Sequence, residues 1–262
     1  MIIVLYALTG IFAGFAAGLF GVGGGLVVVP ALLALFAIKG IDPAVSVHLA
    51  IGTSLATIVV TSISSTLSHH KKGNVDWDLF KRYGVGLVGG ALLGAITADM
   101  VTGDMLRVAF GLFNYLMALQ LAFGGTPKPA RVLPGRVALA GSGLGIGWVS
   151  SLFGIGGGGM TVPYFIFHNV STQRAVGTSA ASGLPIAVVG AMGYAATGLD
   201  ADLLPPGTFG YLYLPAFAAI VALSIPTAKV GAAVASRLDP VWLKRAFALF
   251  LSSIGTLLVF GA

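Results

Sequence analysis

Gly18-Leu19-Phe20-Gly21-Val22-Gly23-Gly24-Gly25-Leu26-Val27-Val28-Val29-Pro30 aligns without gaps to Ser151-Leu152-Phe153-Gly154-Ile155-Gly156-Gly157-Gly158-Gly159-Met160-Thr161-Val162-Pro163. Two more blocks recur in the same order. Ala50-Ile51-Gly52-Thr53-Ser54 matches Ala175-Val176-Gly177-Thr178-Ser179, and Leu106-Arg107-Val108-Ala109-Phe110-Gly111-Leu112-Phe113 matches Leu243-Lys244-Arg245-Ala246-Phe247-Ala248-Leu249-Phe250. The nearly constant offset marks an internal duplication.

Composition sets the environment of that duplication. Of 262 residues, 57% are hydrophobic and 8% charged, against roughly 25% charged in a soluble domain. Mean hydropathy is +0.99. The 39 glycines follow no Gly-X-Y period, and the abundance of Leu, Val, Ile and Phe excludes disorder. The expected class is an all-α polytopic membrane protein. With no cysteine, a thiolate metal site and a Cys nucleophile are excluded. Neither a metal nor a cofactor is expected. The net charge of +6 is read as setting orientation in the bilayer rather than as a nucleic-acid footprint.

Ten apolar segments fall at 2–19, 26–38, 44–67, 79–99, 104–123, 135–152, 159–168, 174–197, 209–234 and 240–260. Most approach the ~20 residues that cross a bilayer. Segments 26–38 and 159–168 are shorter, and each follows a glycine cluster, so eight full spans plus short or broken helices are expected. The first segment lacks the basic flank of a signal peptide and is kept as a mature helix. Residues 1–123 form the first repeat and 135–262 the second. Between them, 124–134 is the linker, with Pro127, Lys128 and Pro129 keeping it out of lipid.

Charge selects the topology. If each short segment returns as a hairpin with its predecessor, then Lys71, Lys72, Lys81, Arg82, Lys128, Arg131, Arg136, Arg174, Arg237, Lys244 and Arg245 share one side. Lys39 and Arg107 lie opposite, among Asp42, Asp99, Asp104, Asp200 and Asp202. Basic loops face the cytoplasm, so both termini are expected outside. Five segments per half is an odd number, so the second half enters the membrane from the opposite face. Such five-plus-five inverted repeats are an architecture of secondary transporters, with substrate held where the repeats meet.

The glycine clusters are the expected site. Each is a poor helix former between apolar runs, and non-helical backbone at membrane depth survives only beside protein or water. A helix beginning just after such a break presents free N–H groups and a positive dipole end to an anion. Gly23, Gly24 and Gly25, with Gly156, Gly157 and Gly158, are therefore substrate-binding candidates. Thr53, Ser54, Thr178 and Ser179 are expected to add hydroxyl donors. Pro30 and Pro163 can loosen the short helices. The rows Gly10–Gly14–Gly18 and Gly86–Gly90–Gly94 are read instead as helix-packing faces.

All eight acidic residues are Asp, and all lie at segment ends or in loops. The carboxylate that a cation carrier places at a helix centre is missing. Lys229, inside an apolar run, is read as snorkelling to the interface. His48 and His168, at segment edges, are plain structural histidines on one reading and gating or proton-linked groups on the other. His69-His70-Lys71-Lys72 is a topology-setting loop. No reactive constellation of an intramembrane enzyme is present.

Leu19-Phe20-Gly21-Val22-Gly23-Gly24-Gly25 followed by Pro30, its copy ending at Pro163, and the paired Gly-Thr-Ser blocks resemble the sulfite exporter TauE/SafE family of anion permeases, over essentially the whole chain. The resemblance implies a bacterial inner-membrane transporter of sulfite, sulfonates or other organic acid anions. Export is the expected direction, since an inside-negative 100 mV expels a monoanion with about 2.3 kcal/mol. The alternatives are an ion-coupled importer of sulfonate or organic anions, and an anion channel. The expected partners are a small anionic substrate and the lipid bilayer.

Overall fold

The computed structural model describes residues 2–20, 24–123, 132–235 and 240–261. Gly23, most of the linker including Lys128 and Arg131, and Arg237 lie outside them, as do Gly21 and Val22. Ten helices follow in order: α1 (Ile2–Phe20), α2 (Gly25–Lys39), α3 (Pro43–Lys71), α4 (Trp77–Asp99), α5 (Gly103–Phe123), α6 (Arg136–Leu152), α7 (Gly158–Phe167), α8 (Thr172–Thr197), α9 (Leu214–Ala235) and α10 (Pro240–Phe260). Their boundaries follow local chemistry. Asp42 caps α3 by accepting the Ala44 N–H at 2.9 Å, and Asp76 caps α4 by accepting the Leu79 N–H at 3.0 Å. Gly40, at φ 73°, closes α2 in the left-handed conformation that glycine tolerates.

One boundary departs from expectation. The apolar run that suggests a helix from residue 209 begins instead with a two-strand hairpin, β1 (Thr208–Phe209) and β2 (Leu212–Tyr213), and α9 starts at Leu214. Gly207 and Gly210 take positive φ there. The Tyr211 N–H bonds the Tyr194 carbonyl at 3.1 Å, seating the hairpin on the end of α8.

By length and composition, five helices can cross a bilayer among the described residues: α3, α4, α5, α8 and Leu214–Gly231 of α9. Helix α7, with ten residues, is about 15 Å long and cannot. Packing pairs the halves: α1 lies on α9, α4 on α6, α5 on α10 and α3 on α8. Exchanging first-half helices for their second-half counterparts leaves these four pairs unchanged. The two glycine rows make the closest of these contacts. A Cβ on Gly10 would come within 2.8 Å of the Ile220 Cα, and one on Gly90 within 2.8 Å of the Leu144 carbonyl carbon. Without side chains, the helix backbones approach directly.

Contacts sort the helix ends onto two faces. Arg107 donates to the Gly261 carbonyl at 2.9 Å, Gly103 abuts Ala44, and Tyr6, Phe36 and Tyr213 interlock edge to face. This joins the start of α1 and the end of α10 at one face, with Lys39, Asp42, Asp99 and Asp104. The opposite face carries the end of α3 and the starts of α4 and α8, where Arg174 meets Asp76 at 3.7 Å.

Candidate functional site

The two glycine breaks meet inside the bundle. Gly154 sits at φ 67° and Gly157 at φ 71°, so the chain between α6 and α7 turns in conformations that L side chains rarely adopt. Gly157 caps α7, and Gly24 caps α2 without a side-chain bond. Gly25 presses on this turn so closely that a Cβ would overlap the Gly154 carbonyl oxygen. Ser54 donates to that same oxygen at 2.9 Å. One buried carbonyl thus fixes α2, α3 and the second break together.

The threonines of the Gly-Thr pairs have protein partners as acceptors. Thr53 accepts the Tyr213 N–H at 2.9 Å, and Thr178 accepts the Asp76 N–H at 2.9 Å. Each threonine, fully buried, holds the residue immediately before a helix, α9 in one case and α4 in the other. The preceding glycines open the way. A Cβ on Gly52 would overlap the Tyr211 carbonyl, and one on Gly177 the Asn74 carbonyl. Two matched clamps therefore tie each half of the chain to a loop of the other. Both Thr hydroxyls are engaged in them.

Ser54 and Ser179 diverge. Ser54 is bonded to Gly154, whereas the Ser179 Oγ is buried, 3% exposed as a residue, and has no partner. Ser179 lines a cavity of about 560 Å³ together with Gly24, Gly156, Gly158 and Ser62. The start of α7 contributes here, because the first turn of a helix leaves its N–H groups without intrahelical acceptors. The cavity extends to His69, Lys72 and Lys229, and among the described residues no carboxylate lines it. At its floor an unpaired hydroxyl and a helix start are brought together; at its mouth, positive charge. Toward the face bearing the termini the interior is packed, with the Phe153 ring tilted against those of Phe110 and Phe113 at centroid distances of 5.7 and 4.9 Å.

A family model described as sulfite exporter TauE/SafE matches residues 6–258. The chain belongs to the TauE/SafE family. Within it, a probable membrane transporter protein of Haemophilus influenzae is 34% identical over 252 residues, covering 95% of each chain. A probable membrane transporter protein of Methanocaldococcus jannaschii is 27% identical, over 97% of this chain and 92% of its own. No solved structure matches significantly.

The other candidates in this TauE/SafE chain have structural partners. His48 Nε2 lies 2.9 Å from the Ala98 carbonyl, and its ring stacks on Tyr211 at 5.1 Å. Burial, and then the Asp99 carboxylate, raise the Tyr211 phenol above its ordinary pKa. His168 Nδ1 lies 2.8 Å from the Tyr164 carbonyl one turn back. Pro30 and Pro163 stand inside α2 and α7, each removing one backbone donor.

Sequence reasoning missed the long hydroxyl-bearing wall of α3. Thr57, Thr61, Ser65 and Ser68 recur at helical spacing, and all line the cavity. That three-to-four-residue period is the signal that could have found it. Lys229, read from sequence as snorkelling to the interface, lines the cavity as well.

Proposed function

We propose that this chain is a secondary transporter that carries a small sulfur-containing or organic anion, such as sulfite or a sulfonate, across the bacterial inner membrane. In this reading eight spans and the broken segments form a five-plus-five inverted repeat, with both termini outside. The repeats alternate access to one site, and transport runs outward.

The observation that carries the reading is Ser179, whose hydroxyl is buried and unpartnered and which lines, with the start of α7, a cavity that has no carboxylate among its described residues. A buried hydroxyl with no partner forfeits about 1–3 kcal/mol, and an oxyanion recovers it by accepting that bond. The Gly156 and Gly158 amides and the helix dipole supply further donors without losing affinity to reorganisation. Gly24 offers the matching backbone from the first break. Gly25, Gly157, Thr53, Ser54 and Thr178 hold this geometry in place. The lack of a carboxylate among the described residues of the cavity disfavours cations.

An inside-negative potential alone favours expulsion of a monoanion by about 2.3 kcal/mol per 100 mV, roughly a fiftyfold gradient. Reconstituted into liposomes, the protein is expected to catalyse counterflow of sulfite or sulfoacetate. A potential negative on the protein's cytoplasmic face should accelerate movement of the anion away from that face. Counterflow of neither of these anions, in protein that remains folded, contradicts the proposal.

A further inference from the structure

The mouth of the cavity carries an observation that the floor does not use. Lys229 is the lysine within the apolar run of α9, and it faces the same space as His69 and Lys72 of α3 and its end. Among the described residues it has no ion-pair partner; the two pairs there are Arg107–Asp104 and Arg174–Asp76. Lys229 is exposed, so its ammonium stays hydrated while its side chain lines the cavity. Ser62, Ser64 and Ser65 of α3 line the same cavity.

Those hydroxyls differ in what they can offer. Thr57 donates to the Ser54 carbonyl at 2.7 Å and Ser68 to the Ser64 carbonyl at 2.9 Å, so both present lone pairs to the cavity. Ser62 and Ser65 make no such bond among the described residues and keep their protons for a ligand. Free donors thus run from Lys229 and Lys72 past Ser65 and Ser62 to Ser179.

We propose that Lys229 is the charge-selecting residue of the cavity, drawing small oxyanions in and turning cations away, with Ser65 and Ser62 handing the anion on to Ser179. This deepens the transport reading and rests on it for the physiological ligand. Its test reads the charge of the cavity alone.

The chain has no cysteine, so Ser64→Cys introduces a single thiol in the cavity wall. The rates to measure are those with an anionic reagent, sulfonatoethyl methanethiosulfonate, and a cationic one, trimethylammonioethyl methanethiosulfonate. Relative to a free thiol in solution, the anionic reagent should be preferred. Lys229→Gln should lower that preference about tenfold, as expected for one charge within ~10 Å in a partly hydrated cavity. Lys229→Arg should keep it.

An unchanged ratio in Lys229→Gln, or a thiol that does not react with either reagent, overturns the proposal. If Lys229→Gln does not fold, Lys229→Met makes the same comparison, and salt adds a second test on Ser64→Cys alone. Raising ionic strength from about 0.01 to about 1 M shortens the screening length from about 30 to about 3 Å, and should erase the preference; a salt-independent ratio overturns the proposal. A salt-sensitive, Lys229-dependent preference in a protein that moves no anion would leave Lys229 its role and remove the transport reading. Intact anion counterflow with no preference would do the reverse.

Discussion

Gly25 and Gly154 meet backbone to backbone, with no room for a methyl group between them. A Cβ on Gly25 would overlap the Gly154 carbonyl oxygen and stand 2.8 Å from the Ile155 Cα. The duplicated glycine passages are therefore in direct contact, and their glycines divide into those that let the breaks touch and those that face open space.

Gly25→Ala should accordingly lower stability by about 1–3 kcal/mol, the usual cost of overpacking a tight contact. Gly24→Ala should be nearly neutral, because its Cβ would meet nothing closer than 3.7 Å. Thermal unfolding in detergent distinguishes the two. Equal melting temperatures would contradict the contact.

The matched clamps make a second prediction. Thr53→Val and Thr178→Val each leave a loop N–H, that of Tyr213 or of Asp76, without its acceptor. Each should cost about 1–3 kcal/mol while leaving anion affinity unchanged, since neither threonine is among the residues that line the cavity. A large loss of affinity at unchanged stability would return these threonines to the binding site.

Topology gives a third. In intact cells, an impermeant thiol reagent should label Asp104→Cys from outside, and label Lys71→Cys only after permeabilisation. Asp104 and Lys71 stand on opposite faces, at the start of α5 and the end of α3. Labelling of Lys71→Cys in intact cells would invert the orientation.

Much of this was legible because apolar runs in a membrane chain end where a polar residue, proline or glycine must end them. The start of α9 was misread because Phe209, Tyr211, Leu212 and Tyr213 look like a helix by hydropathy alone. Only the positive φ at Gly207 and Gly210, and the docking of Tyr211 on α8, make them a hairpin. The glycine rows at Gly10 and Gly90 were readable from spacing, since four-residue intervals of small residues have few other uses in lipid. The partners of Thr53 and Thr178 were not, because each lies more than 100 positions away. Lys229 was ambiguous for a related reason: hydropathy places a lysine along a helix but does not say whether it looks at lipid or at a cavity.

The glycine substitutions also divide by use. Gly157→Ala would be strained at φ 71° and would crowd the Ile186 Cδ1 at 2.9 Å, so it reports on folding. Gly156→Ala meets only the Ile58 Cγ2 at 3.4 Å, and places its methyl at the cavity floor. It should fold and should weaken anion binding by obstructing approach to the backbone.

The most direct measurement is the affinity of the purified protein for sulfite and for sulfoacetate, by calorimetry, in the wild type and in Ser179→Ala. Loss of a hydrogen bond to a charged ligand is worth about 1.5–3 kcal/mol, so affinity for the bound anion should fall at least about tenfold with the melting temperature unchanged. Ser54→Ala, which breaks a bond to Gly154 instead, should lower the melting temperature. An anion bound equally well by the wild type and Ser179→Ala would contradict the account.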